Sequence, residues 1–191
     1  MNRIGLFGGS FDPVHRGHLL VAEAGCEEFK LDRVFFIPAA QSPLKPDHTP
    51  APAELRLRML RLALAAETKC EVDDQEIHRG GPSYTIDTVR TYRQRHPKAI
   101  LFYIIGADHV PLLPKWRAAD ELAALVEFLV VPRPGDPPLA AKAPFRIHSL
   151  VGTPFAVSSS QIRARVKAGQ PIHHLVPQPV EETIRNSGLY L

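Results

Sequence analysis

The sequence predicts an α/β fold: a parallel sheet with helices on both faces. Three observations carry that expectation. Short apolar runs alternate along the chain with longer segments of helical period. The runs are continuously apolar, as strands covered on both faces require. They also meet Gly or Pro at their carboxyl ends, at Gly8, Pro38, Gly106 and Pro132, where sheets of this kind bind ligands. At 191 residues the chain reads as one domain, 1–191, long enough for a proper core.

The elements follow in order. Arg3–Phe7 reads as the first strand and Gly17–Phe29 as the helix after it. Arg33–Pro38 is a second strand. Gln41–Pro52 holds four prolines and reads as a long loop. Glu54–Ala66, rich in Leu, Ala, Arg and Met, is a helix. Cys70–Asp73 is a short strand, and Ser83–Arg95 a helix capped by Ser83 or Thr85. Ala99–Ile105 is a buried strand stopped by Gly106, followed by a short helix at Ala118–Leu125 and a strand at Glu127–Val131. A second proline-rich loop, Pro134–Pro144, leads to a weaker strand at Arg146–Leu150. Ser158–Ala168 is a helix with Ser158 at its cap and Gly169 past its end, and Val180–Ser187 is the last helix. No internal repeat or low-complexity tract interrupts the pattern.

Charge and composition narrow the function classes. The net charge is +3, from 23 Lys and Arg against 20 Asp and Glu. That excess is too small to demand a nucleic-acid partner, and basic and aromatic residues are not interleaved as RNA binding would need. It suits a ligand carrying several phosphates. No apolar run is long enough to cross a bilayer, so no membrane association is expected. Gly8, Gly9 and Asp12 break the first apolar run too early for a signal peptide, so a cytoplasmic location is expected. Cys26 and Cys70 are the only cysteines, too few and too far apart for a disulfide framework or a metal knuckle. Self-association into a homo-oligomer is left open.

Gly8-Gly9-Ser10-Phe11-Asp12-Pro13-Val14-His15-Arg16-Gly17-His18 is the most informative stretch. Glycines at the end of a strand let backbone N–H groups approach a phosphate. A helix start then adds donors and a positive dipole end. Two histidines three apart add donors able to follow developing negative charge. The stretch lacks the P-loop pattern and the dinucleotide fingerprint, so a P-loop NTPase and a nicotinamide dehydrogenase lose ground. His15-x-x-His18 lacks the glutamate of a zinc-protease helix. Far down the chain, Val157-Ser158-Ser159-Ser160-Gln161-Ile162-Arg163 again sets hydroxyls and N–H groups at a helix start, with an arginine a turn later.

These two stretches resemble the His-x-Gly-His and Ile-Ser-Ser-Thr-x-Ile-Arg motifs of the nucleotidyltransferase superfamily. Glu76 to Thr88, with Ser83-Tyr84-Thr85 inside it, is similar to a block of the bacterial nicotinate-nucleotide adenylyltransferases. Ile105-Gly106-Ala107-Asp108, Trp116, Val131-Pro132-Arg133-Pro134-Gly135, Leu175-Val176-Pro177 and Leu189-Tyr190 fit that family as well. The resemblance covers essentially the whole chain.

The resemblance implies a Rossmann-like nucleotidyltransferase fold and a reaction of NAD biosynthesis. The phosphate of nicotinate mononucleotide attacks the α-phosphorus of ATP, and pyrophosphate leaves. It implies that His18, His15 and Arg163 act on the phosphates. Gly8, Gly9, Ser10, Phe11, Lys45, Gly106, Asp108, Arg133, Ser158 and Ile162 would line the ATP site, with Asp108 on ribose hydroxyls. Tyr84 and Thr85 would offer backbone N–H groups to the nicotinate carboxylate, and Trp116 would stack on the pyridine ring. Mg²⁺ would arrive on the ATP phosphates, with no metal site built from the protein.

Some positions depart from the family pattern. Ser42-Pro43-Leu44-Lys45 stands where Pro-Pro-His-Lys is common, which removes one imidazole. Ser10 and Ser160 replace common threonines, keeping the hydroxyls, and His109 follows Asp108 where a small polar residue is frequent. The competing readings are pantetheine-phosphate adenylyltransferase, an amide-preferring mononucleotide adenylyltransferase, and a nucleotide-sensing or RNA-binding module that lost catalysis. Ser83-Tyr84-Thr85 and Trp116 stand against the first, and the two histidines with Arg163 against the last.

Overall fold

The computed structural model describes residues 2–43, 49–132, 143–152 and 156–191. Six strands form one parallel sheet: β1 Arg3–Gly9, β2 Arg33–Pro38, β3 Cys70–Val72, β4 Ile100–Gly106, β5 Glu127–Val131 and β6 Ile147–Ser149. Their spatial order is β3-β2-β1-β4-β5-β6, and every pairing is parallel. The chain therefore runs outward in one direction from β1 and in the other from β4. The crevice between these two strands is the topological switch point, where open α/β sheets bind ligands.

The helices are α1 Arg16–Glu28, α2 Ala53–Ala63, α3 Gln75–Arg79, α4 Thr85–Arg95, α5 Ala119–Leu125, α6 Ser159–Lys167 and α7 Gln178–Asn186. A 3-10 helix spans Ala107–Lys115. The strand period of two sorts the core into layers. Phe102 and Ile104 of β4, with Leu129 of β5, pack with residues of α1, α2, α6 and α7. Leu101, Tyr103 and Ile105 of β4, with Phe128 and Val130 of β5, pack with α4 and α5. Both faces of the sheet are thus covered, which explains why its central strands read as largely apolar runs.

The sequence expectations hold for this frame, with local differences. The helix expected from Ser83 begins at Thr85, with Tyr84 in the cap position and no side-chain cap. Ser83 is engaged elsewhere: its Oγ accepts from the Ala40 N–H at 2.9 Å. The last helix starts two residues earlier than expected, because Pro179 fits its first turn, where no N–H is needed. The helix at Gln75–Arg79 and the 3-10 helix are additions. Ser158 does cap α6, its Oγ accepting from the Gln161 N–H at 3.2 Å.

Candidate active site

The carboxyl ends of β1 and β4 open into a cavity of about 430 Å³. Gly8 and Gly9 line it from β1 with Ser10 just beyond, Gly106 from the end of β4, Asp108 from the first turn of the 3-10 helix, Tyr84 and Thr85 from the start of α4, and Trp116 from the end of the 3-10 helix. Gly8 has to be glycine: a Cβ there would lie 2.2 Å from the Tyr103 hydroxyl. The first-turn N–H groups of α4 have no partners within their helix and sit at its positive end. Thr85 Oγ1 donates to the Tyr103 hydroxyl at 3.3 Å, fixing that turn to β4.

Trp116 is part-buried. Tyr103, His109 and Phe128 meet its ring edge-to-face, at 6.2, 6.0 and 6.4 Å between centroids. Its Nε1–H is buried without a hydrogen-bond partner in the protein, a cost that packing alone does not explain.

A second wall adjoins the cavity at Phe7 and carries the two histidines expected on phosphates. Phe7 lines the cavity and also meets the His18 ring at 5.7 Å, while Phe11 meets it at 5.0 Å. The His15 and His18 rings stack, with centroids 3.6 Å apart and planes 20° from parallel. The His15 N–H donates to His18 Nδ1 at 3.2 Å. In the neutral ring that leaves the His18 proton on Nε2, as a donor. Burial pulls the His15 pKa down to about 4. Burial, and then the neighbouring His15, pull the His18 pKa well below its ordinary value. Both rings are therefore neutral donors at pH 7, set at the N-terminus of α1.

The far motif packs directly on this wall. A Cβ on Gly17 would lie 2.9 Å from Val157 Cγ1 and 3.1 Å from His15 Nδ1, so only glycine lets α1 start this close to the α6 entry. Ser159 Oγ donates to the Pro13 carbonyl at 2.9 Å. Arg163 donates to the Asp12 carbonyl at 2.8 Å and faces the Asp12 carboxylate at 3.7 Å. Arg163, expected on phosphate, is thus held by the turn that carries the histidines. The Ile162 side chain is fully buried in the core, and its N–H bonds Ser158 O within α6. Lys45 and Arg133 lie outside the described residues.

The chain matches the Cytidylyltransferase-like family model over residues 6–165. It is 44% identical over 191 residues to a probable nicotinate-nucleotide adenylyltransferase of Opitutus terrae, covering 98% of this chain and 97% of that protein. It is 40% identical over 190 residues to the nicotinate-nucleotide adenylyltransferase of Bacillus subtilis, covering 100% and 99%. The chain belongs to the nicotinate-nucleotide adenylyltransferase family. A Plasmodium falciparum nicotinic acid mononucleotide adenylyltransferase, solved with NaAD, superposes with a TM-score of 0.81 at 17% identity, covering 100% of this chain and 98% of that one. At that identity the likeness bears on the fold, which it matches throughout.

Within this family frame, several residues near the site escaped a reading of the sequence. Arg56 on α2 is 1% exposed and donates to the carbonyls of Ala51, Ser10 and Ala39, tying the loops after β1 and β2 together. Its spacing before Met59 and Leu60, on the buried face of α2, was the available signal. Asp12 is 2% exposed, and its Oδ1 accepts from the Ala51 N–H at 3.1 Å and the Tyr190 hydroxyl at 2.7 Å. Glu76, on the cavity wall, accepts from Thr88 Oγ1. Burial pushes its carboxyl pKa up, against hydrogen bonds from Thr88 and Ser83.

Proposed function

We propose that this chain transfers the adenylyl group of ATP to nicotinate mononucleotide, giving deamido-NAD and pyrophosphate in NAD biosynthesis. One observation carries the assignment of roles. A pair of neutral imidazole donors at a helix start opens, past Phe7, into an aromatic-walled cavity that ends on a second helix start. Triphosphate fits the first end and an acid-bearing aromatic ring the second.

The chemistry needs no protein nucleophile or general base, because the mononucleotide phosphate is already an anion. Positioning and charge stabilisation do the work. His18 donates through Nε2 to phosphate oxygens as charge grows at the α-phosphorus, and His15 holds its ring and supports the same anion. The N–H groups around Gly9–Phe11 line the nucleotide. Arg163 turns from Asp12 to the phosphates as they arrive, and Lys45 and Arg133, outside the described residues, complete the positive charge around them. Ser158 and Ile162 fix the start of α6 against the triphosphate, the second through its backbone. Gly106 and Asp108 border the adenosine ribose. Trp116 stacks on the pyridine ring, and the N–H groups of Tyr84 and Thr85 face its carboxylate.

Among the described residues, no cluster of three or more His, Cys, Asp or Glu is placed to hold a metal. The donors here are imidazoles and backbone N–H groups, which suit phosphate oxygens. Mg²⁺ would be held by the ATP phosphate oxygens and would neutralise phosphate charge there. No helix among the described residues is long and apolar enough to cross a membrane. We place the reaction in the cytoplasm, where ATP is abundant.

Pyrophosphate release tests the assignment, with Mg-ATP and, in turn, nicotinate mononucleotide, its amide analogue and phosphopantetheine. The acid is expected to turn over fastest. Turnover with phosphopantetheine alone would overturn the substrate assignment.

A further inference from the structure

Arg117 is the residue after Trp116, and it lines the same cavity. Its guanidinium carbon lies 4.6 Å from the centroid of the Tyr84 ring. The contact bridges two cavity walls 33 positions apart in sequence, the end of the 3-10 helix and the start of α4. A guanidinium on an aromatic face is held in place by the ring's negative π surface. Among the described residues its side chain meets the Tyr84 ring and forms no ion pair with a carboxylate. Among the described residues, the acidic ones on the cavity lining are Glu76 and Asp108, and Lys115 is the only other Lys or Arg there.

The backbone N–H groups at Tyr84 and Thr85 are neutral donors. A single carbonyl oxygen accepts two hydrogen bonds, so a carboxamide turned oxygen-first satisfies them nearly as well as a carboxylate. Donor geometry alone therefore discriminates weakly between acid and amide. A positive charge held beside those donors acts on the carboxylate and hardly at all on the neutral amide.

We infer that Arg117 is a specificity-determining residue, its Tyr84-stacked guanidinium supplying the charge that favours a ring carboxylate over a carboxamide. This rests on the mononucleotide reading above. The charge acts on binding of the acid rather than on the chemical step, so it enters KM for the acid and not kcat.

The test compares wild type, Arg117→Gln, Arg117→Lys and Lys115→Gln. kcat and KM are measured for nicotinate and nicotinamide mononucleotides at saturating Mg-ATP, at low and at high salt. Arg117→Gln is expected to lower the acid-to-amide ratio of kcat/KM about fivefold to tenfold, mostly through KM for the acid. Because the group is exposed, the loss shrinks at high salt. Arg117→Lys keeps the charge and most of the ratio, and Lys115→Gln leaves the ratio within about twofold of wild type. An unchanged ratio in Arg117→Gln overturns the inference. So does an equal fall for both substrates, which would mean that Arg117 only props Tyr84, and so does an equal effect of Lys115→Gln. If wild type turns over neither mononucleotide, the reading beneath the inference fails too, and that result is distinguishable from the others.

Discussion

Replacing His18 with alanine separates catalysis from folding. The ring stacks on His15 at 3.6 Å and meets Phe11 at 5.0 Å and Phe7 at 5.7 Å. Each such contact is worth about 0.5–1.5 kcal/mol. Over the three contacts a folding cost of about 1.5–4.5 kcal/mol follows, below the roughly 5–15 kcal/mol by which folded domains are ordinarily stable, so the variant remains folded at room temperature. The catalytic loss is separate. Nε2–H is a fixed donor to charge that grows only as the α-phosphorus is attacked, and removing one such donor costs about 10²–10³ in kcat, or roughly 3–4 kcal/mol. An interaction made mainly in the transition state lowers kcat and leaves KM nearly unchanged. Steady-state kinetics at saturating Mg-ATP, with a urea unfolding curve on the same sample, give both numbers. A folded variant with kcat within fivefold of wild type refutes the assigned role.

Other consequences follow from the same geometry. The His15 pKa is about 4 in the folded chain against about 6.5 unfolded, so between those values the unfolded chain binds more protons. Stability from this group is complete above pH 6.5 and falls with pH, by about 2 kcal/mol from pH 6.5 to 5. Urea midpoints of wild type and His15→Gln should converge as pH falls over that interval, and parallel slopes would contradict the buried neutral ring. Gly17→Ala puts a methyl 2.9 Å from Val157 Cγ1. It should lower kcat/KM at least tenfold by displacing the histidines, and adding Val157→Ala should restore part of the loss; no recovery would mean the clash lies elsewhere. Tyr190→Phe removes a donor to buried Asp12. It should cost about 1–3 kcal/mol in a denaturation curve, and a change below about 0.5 kcal/mol would show that the Asp12 carboxylate is satisfied without it.

The four central strands were legible because each is largely apolar and meets Gly or Pro at its carboxyl end, and Arg33–Pro38 and Glu127–Val131 match residue for residue. The glycines of the Gly8 to His18 stretch stood out in the sequence, and the structure gives two of them a packing reason: a Cβ would meet the Tyr103 hydroxyl at Gly8 and the Val157 side chain at Gly17. What escaped is short or long-range. Gln75–Arg79 has five residues, too few to show a helical period. Pro111 and Pro114 lie inside the 3-10 helix, and in sequence they read as loop. Ser83 looked like a cap, but a partner at Ala40 takes its hydroxyl. Arg163 meets Asp12 across 151 positions, a pairing no local pattern encodes. Nothing in the local pattern singles out Arg56, because its partners Ala39 and Ser10 lie 17 and 46 positions away.

The central claim is that an adenylyl group moves intact to the mononucleotide phosphate. The most direct measurement uses ATP labelled at the α-phosphate or at the γ-phosphate, with nicotinate mononucleotide and Mg²⁺. Products are separated and their label counted. The account predicts α-label in a dinucleotide and γ-label in pyrophosphate, in equal amounts. Label appearing instead as free AMP or ADP, or γ-label carried onto the mononucleotide, would contradict it.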